Sequence, residues 1–452
     1  MKISFLGAAG TVTGSKYLLE INDKKVLIDC GLFQGPREWR ERNWEKLSID
    51  PSKIDAVILT HAHLDHTGYL PVLVKNGFKG PIYSTPGTKE LCAILLPDSG
   101  HIQEEDAFYA NKHHFSRHTP ALPLYTKEEA ERIMGQFSTI PFDKSFKLDQ
   151  DCSFVFSRAG HILGAACIRL THGTKTIVFT GDMGRTHDPI MRDPDPIEET
   201  DYLVMESTYG DRLHSTENPE DQLETFINET AARGGTVLIP AFAVGRAQSV
   251  LYYISQLKEK KKIPDLPIFL DSPMAENVTD IYVRHIEEHH LRPEHCAKLN
   301  AVATYINSVD ESKKIMNSKF PCVIIAASGM ATGGRVLHHL KTLGPDQRNT
   351  ILFTGYQAEG TLGRLIVDGE KIVKIHGQMT SIKAKVLIMS NLSAHADYAE
   401  MLKWLSHFKK APKKVFITHG ESDSAESMKA KVEAKFHWKC VIPTYLQSEE
   451  LV

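Results

Sequence analysis

Short apolar runs and alternating patterns dominate the first part of the chain. Lys2–Leu6, Lys16–Ile21 and Lys25–Ile28 read as strands, with Asn22-Asp23 as the turn between the last two. Ala56–Leu59 is apolar throughout and too short for a helix, so it reads as a buried strand. Phe154–Ser157, Ala166–Thr171, Thr176–Thr180 and Tyr202–Met205 continue the series. This density predicts two sheets packed on each other with helices outside.

After Glu206 the rhythm changes. Asn218 caps a predicted helix with Pro219 in its first turn. Leu223, Phe226, Ile227 and Thr230 share one face, and Gly234-Gly235 ends it. Strand Thr236–Ile239 follows, then a helix with Val250, Leu251, Ile254 and Leu257 on one stripe. Strand Ile268–Leu270, a helical region, strand Cys322–Ala326, a helix after Gly333 and strand Thr350–Phe353 complete the alternation. Strands alternating with amphipathic helices imply parallel crossover units. Residues 209–384 therefore read as a separate α/β domain, and strand signals resume at Lys385–Met389 and Lys414–Ile417.

At 452 residues the chain has room for two or three domains of about 100–200 residues. Its 42% hydrophobic and 24% charged residues exclude a disordered or fibrous protein. Net charge is −3, from 53 basic and 56 acidic side chains, so a polyanion would need a local basic cleft or metal ions. The run Lys258–Lys262 reads as the solvated end of a helix. No apolar run approaches the roughly 18–20 residues of a membrane span, and no membrane partner is expected. The N-terminus faintly mimics a signal peptide, but Thr11, Thr13, Ser15 and Lys16 interrupt it and a first strand explains it better. The seven cysteines are widely spaced without a Cys-x-x-Cys, which argues against disulfides or a cysteine zinc knuckle and fits a reducing cytoplasm.

Histidine is abundant, with 22 copies, several in tight groups. His61-Ala62-His63-Leu64-Asp65-His66 follows directly on the buried strand Ala56–Leu59. Three imidazoles and a carboxylate at a strand end suit zinc, and so tight a turn can serve two metals. Further donors stand where other strands end. His161 lies between two strands, Asp182 follows an apolar strand in Thr180-Gly181-Asp182, and His419 follows another in Thr418-His419-Gly420. Asp29 ends the strand Val26-Leu27-Ile28. It can bind metal or orient a ligating histidine, and the orienting role is favoured.

This set resembles the metallo-β-lactamase superfamily. Met205-Glu206-Ser207-Thr208-Tyr209-Gly210, Leu392-Ser393-Ala394-His395-Ala396-Asp397 and Thr418-His419-Gly420-Glu421 resemble motifs A, B and C of the β-CASP RNA nucleases. The likeness also covers Leu96–Gly100, Gln103–Asp106 and Ser328-Gly329-Met330 with Gly333-Gly334-Arg335. It is closest to the branch that holds the nuclease subunit of the cleavage and polyadenylation specificity factor and its short prokaryotic relatives.

The resemblance implies an α/β protein. A four-layer αββα metallo-β-lactamase domain would be built from residues 1–208 and 385–452, with a β-CASP domain of mainly parallel strands at 209–384 inserted. It implies two Zn2+ per chain, one held by His61, His63, His161 and Asp182. Asp65, His66, Asp182 and His419 would hold the other, with Asp182 bridging. The implied activity is hydrolysis of single-stranded RNA, endonucleolytic or 5′→3′ exonucleolytic, with Asp65, His395 and Glu206 as the catalytic set. His395 is the candidate general acid, since histidine titrates near neutrality, and Glu206 would keep it protonated. His395 as a further metal ligand is the alternative. Ser328, Gly329, Gly333, Gly334 and Arg335, with Arg246, Tyr356 and Arg364, are the expected RNA contacts through backbone N–H groups and a forked guanidinium. RNase J-like enzymes carry a further C-terminal domain, so the short run after motif C points to the shorter type. A small-molecule metallo-hydrolase of thioesterase or lactamase type and a non-catalytic RNA-binding subunit are the rival readings, and a homodimer stays open.

Overall fold

The computed structural model describes residues 1–114, 116, 118–316 and 320–452. Two compact units divide the chain: Met1–Leu213 with His395–Val452, and His214–Ala394.

The first unit holds two seven-stranded sheets. One runs in the order Ser448–Glu450, Lys2–Phe5, Tyr17–Ile21, Lys24–Ile28, Ala56–Ile58, Ile82–Ser84, Phe137–Thr139. The other runs Cys440–Val441, Lys414–Thr418, Tyr202–Glu206, Lys175–Phe179, Ala166–His172, Cys152–Arg158, Phe146–Lys147. Ile3, Phe5, Leu19, Val26 and Ile58 of the first meet Phe154, Phe156, Ile168, Phe179, Val204 and Phe416 of the second in one buried core. Side chains alternate along a strand, so the equally buried Val415 and Ile417 face the other way. Helix Ser422–Phe436 packs against that strand. Burial on both faces explains why these strands read as unbroken apolar runs.

The second unit carries a six-stranded parallel sheet ordered Thr304–Tyr305, Ile268–Asp271, Val323–Ala326, Val237–Pro240, Thr350–Thr354, Lys385–Met389. A separate antiparallel hairpin pairs Ile372–Ile375 with Gln378–Ser381. Asn218 caps helix Pro219–Ala232 by accepting from the Glu220 N–H. The basic run differs from a merely solvated end. Lys260 pairs with Glu220, and Lys262 with Glu220, Asp221 and Glu224, so it neutralises the acidic start of the neighbouring helix.

The division of the chain differs from the expected boundaries at 208/209 and 384/385. Lys385–Met389 pairs in parallel with Thr350–Thr354 and so completes the second unit's sheet, and the chain returns to the first unit at His395. A lone apolar strand carries no mark of which sheet it will join.

At the end of strand Ile268–Asp271, the fully buried Asp271 accepts from Arg335 Nη1 at 2.6 Å, His339 Nε2 at 2.6 Å and Ser312 Oγ at 2.5 Å. Burial opposes its charge, but the bonds from His339, Ser312 and Arg335 outweigh that and hold its carboxyl below the usual range. Asp271→Ala strands three donors, the Arg335 guanidinium among them, and is expected to cost about 3–5 kcal/mol in urea unfolding. The carboxylate's stabilisation is complete above its unfolded pKa of about 3.9 and is lost as pH falls through the lower folded value. The urea-midpoint gap between wild type and Asp271→Asn should therefore narrow at pH values below that range.

Candidate metal centre

Strand ends deliver every donor. After Ala56–Ile58 the chain makes the one-turn helix Leu64–Thr67 with His63 at its N-cap. The His66 and Thr67 N–H groups both donate to the His63 carbonyl, which fixes the turn. Segment Cys30–Leu32 clamps it from behind: Cys30 N–H donates to His66 O and Leu32 N–H to Leu64 O. Only glycine fits at Gly31, because a Cβ there would lie 1.5 Å from the Asp65 carbonyl oxygen.

His161 joins from the loop between Cys152–Arg158 and Ala166–His172, Asp182 from beyond Lys175–Phe179, and His419 from the end of Lys414–Thr418. Two four-donor groups result, His61/His63/His161/Asp182 and Asp65/His66/Asp182/His419. In the first, His63 Nδ1 lies 3.2 Å from both His61 Nε2 and His161 Nε2. Asp182 Oδ2 lies 3.4 Å from His61 Nε2 and 3.5 Å from His161 Nε2. In the second, His66 Nε2 is 3.2 Å from His419 Nε2 and 3.2 Å from Asp182 Oδ1. Asp65 Oδ2 is 3.4 Å from His419 Nε2. The two oxygens of Asp182 thus serve different groups.

Donors set tetrahedrally at about 2.0–2.1 Å around a zinc ion lie about 3.4 Å from one another, and these spacings match that edge. Two further observations fit a metal. Asp182 Oδ1 is buried without a hydrogen-bond partner. Three of the outward nitrogens are already engaged: His66 Nδ1 donates to Asp29 Oδ2 at 2.8 Å, His61 Nδ1 meets Thr60 Oγ1 at 3.1 Å, and His419 Nδ1 meets Thr208 Oγ1 at 3.1 Å. Such outer partners aim the remaining nitrogens inward. The residues present therefore fit two bound cations.

The electrostatics of the three imidazoles in the first group agree. Burial pushes His61 down to about 3 and His63 to about 4, and holds His161 well below its ordinary value, so these rings stay neutral as ligands must. His66 goes the other way: burial opposes its charge, but Asp182 and Asp29 outweigh it and raise it well above the ordinary value. Burial likewise opposes the charge of Asp65 and Asp182, and the surrounding imidazoles overcome it, holding both carboxyls low.

His395 stands beside this cluster, its Nε2 3.9 Å from Asp182 Oδ2. Its Nδ1 is 3.0 Å from Glu206 Oε2 and 3.2 Å from Oε1. Glu206 is itself buried and accepts from the Met183 N–H at 2.5 Å. Burial works against a charge on His395, but Glu206 and Asp182 lift it to about 9.

Asp29 accepts from the Thr60 N–H at 2.7 Å and Thr60 Oγ1 at 2.8 Å as well as from His66, which places it behind the donors. Sequence reasoning gave no role to Thr60, which directly precedes the ligand turn, or to Thr208, which lies inside motif A. It also passed over Lys16, whose buried ammonium donates to the Gly31 carbonyl and sits 4.6 Å and 4.7 Å from the Phe33 and Tyr69 ring centres. Burial lowers it to about 8, and nothing in the sequence marks it.

In the second unit the loops after three neighbouring parallel strands meet. Gln357 Nε2 donates to Gly329 O, and the Thr332 N–H donates to Ser328 Oγ. A Cβ on Gly355, next to Tyr356, would lie 3.4 Å from the Arg246 guanidinium. Gly333 and Gly334 lead into helix Arg335–Leu343, whose N-terminus has no side-chain cap. Arg335 does not offer the expected forked contact. Its Nη1 is taken by Asp271 and the Ile306 carbonyl, and its Nη2 by the Asn307 carbonyl. Arg364 donates its Nε to Asp368 on its own helix.

Residues 9–226 match the metallo-beta-lactamase superfamily, residues 247–366 the Beta-Casp domain, and residues 380–443 the RNA specificity domain of zinc-dependent metallo-hydrolases. Ribonuclease TTHA0252 of Thermus thermophilus is 35% identical over 94% of both chains. An RNase J-like protein of Methanocaldococcus jannaschii is 33% identical, covering 98% of this chain and 97% of its own. The transcription termination factor FttA of the same organism is 31% identical over 99% of this chain and 71% of its own. A crystal structure of a protein of unknown function from Enterococcus faecalis shares the fold, with a TM-score of 0.56 at 14% identity, over 100% of this chain and 99% of that one. The chain belongs to the metallo-β-lactamase superfamily, in the group that carries a β-CASP domain. Among the described residues no helix is long and apolar enough to cross a membrane.

Asp29→Asn should lower metal affinity about 10–100-fold, read by competition with a chromogenic chelator, because one amide oxygen cannot replace the two carboxylate oxygens that take Thr60 and His66, and the charge that orients His66 is lost. An unchanged affinity would remove Asp29 from the centre.

Proposed function

We propose that the chain is a zinc-dependent ribonuclease that hydrolyses RNA phosphodiester bonds with two zinc ions per chain. The observation that carries this reading is one buried carboxylate, Asp182, shared between two four-donor groups with the His395–Glu206 pair beside it. The donor set, imidazole and carboxylate, suits zinc. The RNA-specificity match over 380–443 and the ribonuclease named among the relatives support RNA as substrate.

His61, His63, His161 and Asp182 would hold one ion, and Asp65, His66, Asp182 and His419 the other. When bound, such a pair supplies Lewis acidity at the phosphate and water acidic enough to attack at neutral pH. The chain's own residues do the rest. Glu206 accepts from His395 Nδ1, which fixes the ring and favours its charged form, so Nε2 carries a proton toward the centre. The leaving 3′ oxygen takes that proton. Asp29, Thr60 and Thr208 keep the imidazoles aimed. In the second unit, backbone N–H groups of Ser328, Gly329, Gly333 and Gly334 with Arg246 and Tyr356 hold phosphates, while Arg335 braces their loop through Asp271.

Metal analysis should find two zinc ions per chain, and Asp182→Ala should lose zinc and cleavage together. His395→Ala should keep zinc yet lose about 10²–10⁴-fold in rate, and zinc loss there would make it a ligand instead. RNAs labelled at either end, with 5′-phosphate or 5′-hydroxyl, separate endonucleolytic from 5′→3′ exonucleolytic action. Turnover of an ester with no cut RNA would instead favour a small-molecule hydrolase. RNA retention with less than one zinc per chain would favour a binding subunit.

A further inference from the structure

Residues 107–126 contain no aspartate or glutamate, in a chain that has 56 of them. The same stretch carries Lys112, three histidines and several aromatic residues. It begins at the C-terminal end of the 27-residue helix Pro86–Lys112. There Phe108 is 62% exposed and Tyr109 51% exposed, two adjacent rings at one end of the helix.

The two rings are organised. Tyr109 stacks on His113 with ring centres 6.4 Å apart and planes 10° from parallel. Lys112 Nζ lies 6.0 Å from the Phe108 ring centre. Both pairs are spaced i,i+4, so they stand side by side on the helix surface. Leu122, 63% exposed, lies on the return segment. Its neighbour Ala121 is tied to the helix end, donating its N–H to Asn111 Oδ1 and accepting from Asn111 Nδ2. The return segment is laced along the helix by Leu124 N–H to Gln103 Oε1 and Tyr125 OH to Ser99 Oγ. The platform is therefore held in place before any partner arrives.

The other end of the helix reaches the metal centre. Thr85 Oγ1 and Thr88 Oγ1 both donate to the Gly164 carbonyl, in the loop that carries His161. From Thr88 to Tyr109 the helix climbs about 30 Å at about 1.5 Å per residue. That spans about nine nucleotides at a stacked spacing of about 3.4 Å.

We propose that Phe108, Tyr109, Lys112, His113 and Leu122 form a docking platform for single-stranded RNA, where bases stack on the rings and Lys112 meets phosphate. Aromatic faces accept any base, and a cationic neighbour tracks the backbone, which is how unpaired strands are held without sequence preference. Glu104 and Glu105 stand one helical turn before the two rings, so the charge that favours a polyanion comes from Lys112 and from the acid-free segment 107–126 that follows. The proposal rests on the ribonuclease reading, and it states where the portion of substrate remote from the cut lies.

The test uses the zinc-loaded full chain with unstructured RNAs of about four and about twenty nucleotides, only the longer of which reaches both places. The double variant Phe108→Ala/Tyr109→Ala should raise Kd and KM for the longer RNA about tenfold or more and leave kcat and KM for the shorter one unchanged. Phe108→Tyr/Tyr109→Phe, which keeps two rings, should restore wild-type binding. Lys112→Glu should weaken binding of the longer RNA and flatten its salt dependence. Unchanged affinity of the alanine variant for the longer RNA overturns the proposal. So does loss of self-association in sedimentation with RNA binding intact, which would assign the face to a second copy of the chain. Failure of the wild type to cut either RNA strikes the ribonuclease reading instead, and the platform is then judged on Kd alone.

Discussion

Asp182 is 2% exposed and faces five imidazoles. A buried carboxylate in that position needs compensating charge, and each of its oxygens looks toward a different group of donors. The rest of the first unit can be understood as meeting this demand. Four separate stretches of chain, around His61–His66, His161, His395 and His419, converge on it. The sheets hold the strand ends among them rigidly because both of their faces are buried.

The convergence has a local cost. Asp29 and His419 hold left-handed backbone, with φ of 58° and 48°, conformations worth about 1–3 kcal/mol of strain each. Hydrogen bonds offset it. Asp29 receives three, from the Thr60 N–H, the Thr60 hydroxyl and His66, and the His419 N–H donates to the Ala8 carbonyl. Gly31 lets the backbone approach the ligand turn more closely than any side chain would permit. The buried Lys16 then caps the Gly31 carbonyl from the opposite side. A donor set this crowded is stable only with such support behind it.

The second unit solves a different problem with similar means. Its parallel sheet gathers loops at the carboxyl ends of its strands, where α/β sheets commonly place ligands. Asp271 binds Arg335, His339 and Ser312 together there, so one strand end, one helix and one flanking helix share a buried charge network. An arginine that would suit phosphate in sequence is used to brace the loop that carries the exposed backbone. The same residue type serves either role, and only its neighbours decide between them.

Much of this was legible in the chain itself. Short apolar runs ending in His, Asp or Glu determine both the strands and where their chemistry lies, because a strand buried on both faces must be apolar and its polar groups can only stand at its ends. The helix starting at Asn218-Pro219 is likewise set by local capping chemistry. What the tertiary structure decided was partnership. Lys385–Met389 joins the second unit's sheet, Arg335 turns to Asp271, Lys16 is buried beneath the ligand turn, and Phe108 and Tyr109 stay exposed at the end of a long helix. These outcomes depend on contacts between residues far apart in sequence, and the free energy that selects them comes from packing and desolvation, which no local pattern encodes.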